Sequence, residues 1–472
     1  MRCRKLDGES RQTIRVNQGR SVFSLLVLAQ AASELAFIPA FIFAPIFAPM
    51  PSSLLRIADT HLTPCAAHAI DSSATAMLCW LEENQTRCAR WRSERSALPP
   101  ARVLIADDTL PADQAYRLAC EGTALMWRGD FQNARHLLQA LARRTDRPAT
   151  RGRKNSGTAA GVQNSQAHAF HLHRQAQAQR ARVLSMLLIE FGDDYRVALR
   201  RAPDVRQACE EVWGPAGGDG AAGSVCSLRE LLGLISAHEW RKKGVPVAAL
   251  GAPPGNRIHP HFGVFSPVRG EYVDLVANAT WPGSALPLLA FDIGTGTGVL
   301  AAVLARRGVA RVVATDSDPR ALACASQNIE QMKLSGCVCV VQADLFPEGR
   351  ASLVVCNPPW LPARASSPIE HAIYDEGSRM LLGFLGGLAA HLAPDGEGWL
   401  ILSDLAEHLE LRSRAELLAA IAAAGLVVAG RTDAHPAHPK ASDADDPLHH
   451  ARAREVTSLW RLTVADASTG PP

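Results

Sequence analysis

The 472-residue sequence predicts an α/β fold, with a seven-stranded, doubly wound sheet in the C-terminal part and a mostly helical region before it. From residue 289 onward, short apolar segments alternate with longer segments of helical periodicity. This alternation is typical of a largely parallel sheet covered by helices. Before that point, apolar residues recur mainly at helical intervals. The length of the chain is that of two or three domains.

The composition indicates a globular protein with a sizeable core, because hydrophobic residues make up 47% of the chain. The net charge of +3 is too small to predict nucleic acid binding by itself. The eleven cysteines include no CxxC pair. We therefore expect reduced thiols, no zinc site and a cytoplasmic location.

Residues 1–49 are predicted to be an N-terminal extension of the folded protein. A basic beginning precedes two apolar stretches, at 22–29 and 35–50. The pattern resembles a secretory signal peptide, and neither stretch reaches the roughly 20 residues of a membrane helix. We interpret the segment as an extension upstream of a natural start at Met50, with a signal peptide and a membrane anchor as the alternatives. No membrane contact is expected for the mature domain.

Periodicity and composition divide the rest of the chain into four parts. These parts are a helical domain (50–143), a basic linker (144–166), a helical or mixed region (167–285) and the α/β domain (286–472). Helices are predicted over 113–128, 131–143, 166–188 and 227–243. Positive residues outnumber negative ones between 143 and 182, which predicts a solvated linker and helix face; an RNA-facing stripe is the alternative.

The α/β domain is expected to contain seven strands with helices between most of them. Strands are predicted near 289–293, 311–315, 338–342, 352–356, 398–402, 425–430 and 455–464. Helices are predicted over 297–307, 319–333, 376–392 and 413–424. Because the last two strands follow each other without a helix, we expect the seventh strand to be antiparallel.

A glycine-rich turn follows the first strand of this domain, with Asp292, Gly294, Thr295, Gly296 and Gly298. Glycines let the backbone turn sharply and approach a ligand beside the positive end of the next helix. The GxGxG spacing, with an acid before it, departs from the GxGxxG pattern of dinucleotide-binding proteins. All five residues are predicted to belong to a cofactor site.

Two further acids end the second and third strands. Asp316 closes its strand about 20 residues after the glycine turn, which is the place of an acid that accepts hydrogen bonds from ribose hydroxyls. Asp344 follows the third strand at the same edge of the sheet. We predict that both contact the cofactor, and a surface acid is the alternative for Asp344. Asp318 and Pro319 predict the start of the next helix.

The sequence Asn357-Pro358-Pro359-Trp360 follows the fourth strand, which ends at the topological switch point of such a sheet. Proline has no backbone N–H, so this segment offers oxygen acceptors without competing donors. The tryptophan ring offers a flat face for stacking. We predict that these four residues form the catalytic site.

The four motifs, in this order and spacing, resemble those of class I S-adenosylmethionine-dependent methyltransferases, which have a seven-stranded Rossmann-like sheet. The Asn-Pro-Pro-aromatic sequence is similar to the (N/D)PP(Y/F/W) signature of amino-directed members. The resemblance extends over residues 259–464 and implies that S-adenosyl-L-methionine is the cofactor. It also implies that the methionine part and ribose lie over the glycine turn and that Asp344 is near the adenine amino group.

An upstream segment, Gly263-Val-Phe265-Ser-Pro267, resembles the stretch that precedes the core in HemK-type glutamine N5-methyltransferases of the methyltransferase small domain family. Those enzymes methylate translation release factors. The resemblance implies that Phe265 and Pro267 line the cofactor pocket, with simple packing as the alternative. His259 and His261 are interpreted as structural residues and not as metal ligands, because no Cys/His cluster accompanies them.

The reaction implied by this resemblance is methyl transfer to a planar nitrogen. The lone pair of such a nitrogen is delocalised, so it is a poor nucleophile. The Asn357 side-chain oxygen and the Pro358 carbonyl would each accept one N–H and direct the lone pair at the sulfonium methyl. Trp360 stands where tyrosine or phenylalanine is commoner, which leaves glutamine specificity open.

Four hypotheses for the function follow. The first is a protein N-methyltransferase that acts on glutamine, with a release factor as an example of the partner. The second is an RNA base amino methyltransferase, whose basic region at 143–182 would contact phosphates. The others are a small-molecule methyltransferase and a catalytically idle module that docks a partner through its helical half.

Overall fold

A computed structural model describes residues 76–146, 165–217, 223–283, 285–436, 443 and 446–465. The predicted extension (1–49) and most of the predicted linker (144–166) lie outside the described residues. Within the described part of the chain, no helix is both long and apolar enough to cross a membrane.

The N-terminal part combines helices with a six-stranded sheet. Its strands are β1 (Met77–Glu82), β2 (Gln85–Trp91), β3 (Arg102–Ala106), β4 (Thr123–Trp127), β5 (Leu187–Phe191) and β6 (Ser224–Ser227). Its helices are α1 (Ala112–Cys120), α2 (Phe131–Thr145), α3 (Gln166–Leu184), α4 (Arg206–Trp213) and α5 (Leu228–Lys243). The strand order is β1-β2-β6-β5-β4-β3, with parallel pairs β2–β6, β3–β4 and β4–β5. The helices contain more residues than the strands, as predicted, but the sheet itself was not predicted.

The prediction of one helix over 113–128 is wrong. The helix ends at Cys120, Gly122 adopts a positive φ of 80°, and Thr123–Trp127 forms the buried strand β4. A short apolar run such as Thr-Ala-Leu-Met-Trp fits a buried strand as well as a helix, so periodicity does not separate the two. The end of the helix predicted over 166–188 is wrong for the same reason, because the apolar residues from Leu187 onward form β5.

One disulfide bond corrects the expectation of reduced thiols. Cys79 of β1 and Cys88 of β2 are directly opposite each other in this antiparallel pair and form a disulfide. Their separation of nine residues is set by the hairpin, which a search for CxxC pairs does not detect. The remaining cysteines of the described ranges are free.

The C-terminal part contains the predicted seven-stranded sheet. A two-stranded ladder of β7 (Val245–Pro246) and β8 (Arg257–Ile258) and helix α6 (Glu271–Asn278) come before it. Its strands are β9 (Leu289–Ile293), β10 (Arg311–Asp316), β11 (Val338–Gln342), β12 (Ala351–Cys356), β13 (Leu392–Ser403), β14 (Leu426–Ala434) and β15 (Thr457–Val464). Its helices are α7 (Val299–Arg306), α8 (Pro319–Gln331), α9 (Arg379–His391), α10 (Leu405–His408), α11 (Arg414–Ala423) and α12 (His449–Arg452).

The strand order β11-β10-β9-β12-β13-β15-β14 confirms the predicted doubly wound fold. The strands β9 to β13 are parallel where they pair, and β15 is antiparallel to both β13 and β14, as predicted. The expectation that no helix joins the last two strands is wrong, because the short helix α12 lies between them. Separate hydrophobic clusters cover the two faces of the sheet.

The chain order of the strands reverses direction between β9 and β12, which are neighbours at the centre of the sheet. At such a switch point the loops that follow the two strands diverge and leave a crevice. The glycine turn follows β9, Asp316 ends β10 and Asn357 follows β12. The fold therefore brings the predicted motifs to one edge of the sheet.

Candidate active site

The turn after β9 has the geometry that its glycines predict. Gly294, Gly296 and Gly298 have φ values of 71°, 56° and 79°, in the left-handed region that favours glycine. A Cβ atom on Gly294 would overlap the Met380 side chain, and one on Gly298 would lie 3.2 Å from the Ala325 Cα. A Cβ atom on Gly296 would meet no atom within 4 Å. The turn is thus closely packed on the protein side and open at Gly296.

Asp292 supports this turn from below. Its side chain is 1% exposed, and its Oδ2 accepts hydrogen bonds from the Thr295 hydroxyl (2.6 Å) and the Ala301 backbone N–H (3.0 Å). Burial raises the pKa of the Asp292 carboxyl to about 6, although both donors favour the charged form. The residue joins the end of β9, the turn and the first helical residues into one unit.

Asp316 lies next to the turn at the end of β10. Its Oδ2 accepts the Gly296 N–H and its Oδ1 accepts the Asp318 N–H, both at 3.0 Å. Partial burial raises the pKa of its carboxyl. The Thr295 N–H also donates to the Thr315 carbonyl (2.8 Å), so β9 and β10 remain joined at the point where the turn begins. Asp318 caps α8 by accepting the Arg320 N–H, as its sequence predicted.

Asp344 is the most exposed of the predicted cofactor residues. It lies two residues beyond β11, and its carboxylate is 3.5 Å from the guanidinium of Arg379 at the start of α9. Both side chains are largely exposed, so this ion pair contributes little to stability. The residue therefore lies at the rim of the crevice.

Asn357 is held in place by a residue of its own motif. The Trp360 indole N–H donates a hydrogen bond to the Asn357 Oδ1 at 2.9 Å. Pro358 and Pro359 are buried, whereas Asn357 and Trp360 are partly buried. A side-chain carbonyl oxygen has two lone pairs, so this bond orients the oxygen and leaves one acceptor site.

A cation–π contact with Arg269 holds the Trp360 ring. The guanidinium of Arg269 lies over it, with the Cζ atom 5.3 Å from the ring centre. Arg269 donates to Glu271 (2.7 Å) and to Glu455 (3.1 Å), and Glu455 also accepts the Ser403 hydroxyl (2.8 Å). One side of the ring predicted to stack on a substrate is thus covered by Arg269. In this structure Trp360 orients Asn357.

A cavity with a volume of about 450 Å³ opens beside this motif. The methyltransferase-like motif contributes Asn357, Pro358 and Trp360 to its lining, and the upstream segment contributes Phe265. Pro267 is buried nearby and does not line the cavity. The volume is within the range of small-molecule and side-chain pockets.

His259 and His261 hold the upstream segment against α8 and α5. His259 is partly buried. Its backbone N–H donates to the Asn328 Oδ1 (2.8 Å), and its Nδ1 is 2.6 Å from the Arg241 carbonyl oxygen. The His261 Nε2 is 2.7 Å from the Gln327 Oε1. No group of three or more potential metal ligands occurs among the described residues. Both histidines have structural partners.

Comparison with known proteins identifies the C-terminal part. Residues 276–407 match the family model named methyltransferase small domain. This stretch, which is less than half of the chain, is similar to that family. The match confirms the resemblance to class I methyltransferases that the four motifs indicated.

Three similar proteins match parts of the chain. A ribosomal protein L11 methyltransferase from Pelotomaculum thermopropionicum is 52% identical over 14% of this chain and 22% of that protein. A tRNA1(Val) (adenine(37)-N6)-methyltransferase from Pedobacter heparinus is 36% identical over 24% of this chain and 50% of that protein. A release factor glutamine methyltransferase from Mycolicibacterium smegmatis is 37% identical over 27% of this chain and 46% of that protein. The chain therefore spans half or less of the length of these relatives.

The second wall of the cavity belongs to the N-terminal part, which the sequence motifs did not indicate. It includes Glu94 and Arg95, which follow β2, and Glu230 in the first turn of α5. Glu94 forms an ion pair with Arg320 of the methyltransferase domain at 2.6 Å, and its N–H donates to the Glu230 carboxylate. The ion pair joins this wall to the helix that follows Asp316.

The local sequence around Glu230 indicates a role in capping a helix and not a position in a cavity wall. The pattern Ser227-x-x-Glu230 at a helix start predicts a capping box. The Ser227 hydroxyl does accept the Glu230 N–H (3.2 Å), but the Glu230 carboxylate accepts the N–H of Glu94. Because Glu94 and Glu230 are far apart in the sequence, no local sequence pattern predicts their contact.

Burial raises the pKa of Glu230 to about 7, which predicts a pH-dependent stability. In the unfolded chain the pKa is about 4.3. Below that value the carboxyl is neutral in both states, and above about pH 7 it is charged at a buried position, so its contribution to stability is lost as pH rises through 7. We expect Glu230→Gln to raise the free energy of unfolding by up to about 3 kcal/mol near pH 8.5. The effect is expected to vanish near pH ~4.5, where the wild-type side chain is neutral too.

Thermal or urea unfolding at both pH values measures this effect. The control is Glu239→Gln, because Glu239 is on the same helix and is exposed. A Glu230→Gln effect that is the same at both pH values would show that Glu230 does not titrate between them.

Proposed function

We propose that this protein transfers the methyl group of S-adenosyl-L-methionine to a planar amide or amino nitrogen, and that its acceptor is a glutamine side chain of a protein. The proposal rests mainly on Asn357: its oriented side-chain oxygen lines a cavity, at the strand end next to the open glycine turn. An oriented acceptor beside a small pocket suits a nitrogen that must be turned toward an electrophile.

The residues around Gly296 fit the cofactor. A side chain at this position would enter the open space beside the turn, which only glycine leaves free for a ligand. The Asp316 carboxylate lies at the same place and is suited to the two ribose hydroxyls. Asp344 at the rim and Phe265 beside the cavity are proposed to contact the adenine end and to close the site. When bound, the cofactor supplies an electrophilic methyl group on a sulfonium.

The residues of the Asn-Pro-Pro-Trp motif supply orientation and charge complementarity. The Asn357 Oδ1 retains one acceptor site beside the Trp360 hydrogen bond, and the Pro358 carbonyl offers a second acceptor. Two N–H bonds to these oxygens draw the nitrogen toward tetrahedral geometry. Its lone pair would then be directed at the methyl group that the cofactor would supply, and the nitrogen would release its proton to water. Fixed dipoles of this kind act without reorganisation during the reaction.

The names of the similar proteins favour a protein acceptor over RNA. Two of the similar proteins are named as methyltransferases of a ribosomal protein and of a release factor, so a component of the translation machinery is the first acceptor to test.

An RNA base is the second candidate, because one similar protein is named as a tRNA adenine methyltransferase. The basic helix α3 would then contact phosphates. However, Arg174 donates to the Arg364 carbonyl (2.6 Å), Arg180 pairs with Asp146 (2.7 Å) and Arg182 donates to the Cys120 carbonyl (3.3 Å). These contacts within the protein make α3 a weaker phosphate surface than its sequence indicated. A small-molecule acceptor is the third candidate.

Asp316→Ala is expected to weaken binding of the cofactor about 10- to 100-fold, because two charge-assisted hydrogen bonds to the ribose are lost. Isothermal titration with S-adenosylhomocysteine measures this change. Asp318→Asn is the control, since it removes the same charge two residues away and keeps an N-cap residue. Equal affinities of the two variants would mean that Asp316 does not hold the ribose.

Asn357→Ala is expected to lower kcat at least about 100-fold, since the nitrogen loses an acceptor that acts in the transition state. Affinity for S-adenosylhomocysteine should remain unchanged. Asn278→Ala, on the exposed end of α6, is the matched control. Full turnover by Asn357→Ala would contradict the nitrogen-positioning role.

Transfer of labelled methyl from S-adenosylmethionine to a cell extract tests the acceptor class. We expect the label to be lost after protease treatment and to survive ribonuclease. Loss with ribonuclease would make RNA the acceptor, and label in the small-molecule fraction would indicate a metabolite. Absence of label from every fraction would contradict methyl transfer itself.

A further inference from the structure

Arg95 lies in the wall of the cavity without a paired group among the described residues. It is partly buried and lines the cavity, yet it makes no hydrogen bond and no ion pair with any described residue. Other arginines of the same lining are paired: Arg269 with Glu271 and Glu455, and Arg452 with Asp446 at 3.0 Å. A guanidinium carries five N–H donors, so an unpaired and partly buried one is costly unless a ligand satisfies it.

Among the described residues, the carboxylates that act on Arg95 do not form an ion pair with it. Glu230 and Glu370 act on it from a distance, and neither is close enough for an ion pair. Burial outweighs their effect and lowers the pKa of Arg95, as expected for a charge withdrawn from water. Glu370 is itself tied to Ser366, whose N–H and hydroxyl donate to its Oε2 at 2.9 and 2.8 Å.

Further polar groups of residues in the lining have no partner among the described residues. The side-chain atoms Ser236 Oγ, Trp240 Nε1, Ser266 Oγ and Ser367 Oγ are buried and have no hydrogen bond to any described residue. Ser236 and Trp240 come from α5 of the N-terminal part, whereas Ser266 and Ser367 come from the C-terminal part. Buried polar groups are almost always hydrogen-bonded, and these four have no described partner although their residues line the cavity.

We propose that this cavity is the acceptor site and that Arg95 binds a carboxylate of the acceptor, while Asn357 on the opposite domain binds its amide nitrogen. The inference rests on the proposed function and narrows its substrate class. The acceptor is a glutamine that has a carboxylate close by, as in a polypeptide with an acidic residue or chain end next to the methylated side chain.

A carboxylate fits this wall better than a phosphate does. A guanidinium binds a carboxylate through two parallel N–H···O bonds, so a single arginine is sufficient for a monoanion. A phosphate monoester carries more negative charge than one guanidinium neutralises, and Arg269 and Arg452 of the same lining are already paired with carboxylates. The volume of about 450 Å³ admits one glutamine with its neighbouring groups and excludes a nucleic acid duplex.

Two small probes that differ only in the carboxylate test the proposal. N-acetyl-L-glutamine has a free carboxylate, and its N-methylamide does not. Binding of each to the full chain, saturated with S-adenosylhomocysteine, is measured by isothermal titration. We expect the acid to bind roughly 10- to 100-fold more tightly than the methylamide, as charge-assisted hydrogen bonds predict.

Variants assign this preference to Arg95. Arg95→Gln is expected to remove the difference between the probes, and Arg95→Lys to restore part of it, because lysine keeps the charge without the bidentate geometry. Arg102→Gln, on the exposed edge strand β3, removes the same charge outside the cavity and should change neither probe. The affinity for S-adenosylhomocysteine reports whether each variant is folded.

Equal binding of the two probes, a preference that survives Arg95→Gln, or no binding of either probe would each overturn the inference. The proposed function has a separate readout. Methyl transfer in the labelled extract with no effect of Arg95→Gln on the probes would leave the function and reject the carboxylate site. A carboxylate preference that depends on Arg95, with no transfer to any acceptor, would keep the site and reject the function.

Discussion

The active-site edge depends on two carboxylates that hold one glycine turn. Asp292 binds the turn from inside the sheet and Asp316 binds the Gly296 N–H from the neighbouring strand. Fixing three glycines in one conformation disfavours the turn in isolation, because glycine loses more conformational entropy than other residues on folding. The acids offset this loss and fix the turn at the switch point of the sheet. The neighbouring ends of β10 and β12 then have defined positions relative to it.

The Asn-Pro-Pro-Trp motif uses a similar strategy with neutral groups. Its prolines restrict the backbone, and the Trp360 indole fixes the side chain of Asn357. Arg269 then holds the indole by lying over its ring, and two glutamates hold Arg269. Each group is oriented by the next one outward, so the acceptor oxygen is preorganised before any ligand binds.

The sequence predicted the C-terminal fold because strands buried on both faces read as separated apolar runs, and because its motifs are local. It did not predict the N-terminal sheet, since runs such as Thr123–Trp127 fit a helix and a buried strand equally well. Phe265 was predicted to line the cofactor pocket, which stays a prediction; in the structure it lines the cavity beside Asn357. Arg95 and Glu230 could not be predicted, because their common position depends on contacts between segments more than a hundred residues apart.

Two parts of the chain line the cavity, and we propose a different role for each. The four motifs that we propose to serve the cofactor and the nitrogen lie from β9 onward, whereas Arg95 and Glu230 lie before it. Substitutions in the N-terminal wall can therefore alter which molecule is accepted while the transfer chemistry stays intact. Such a division lets the choice of acceptor evolve independently of catalysis. The Glu94–Arg320 ion pair connects the two parts of the chain.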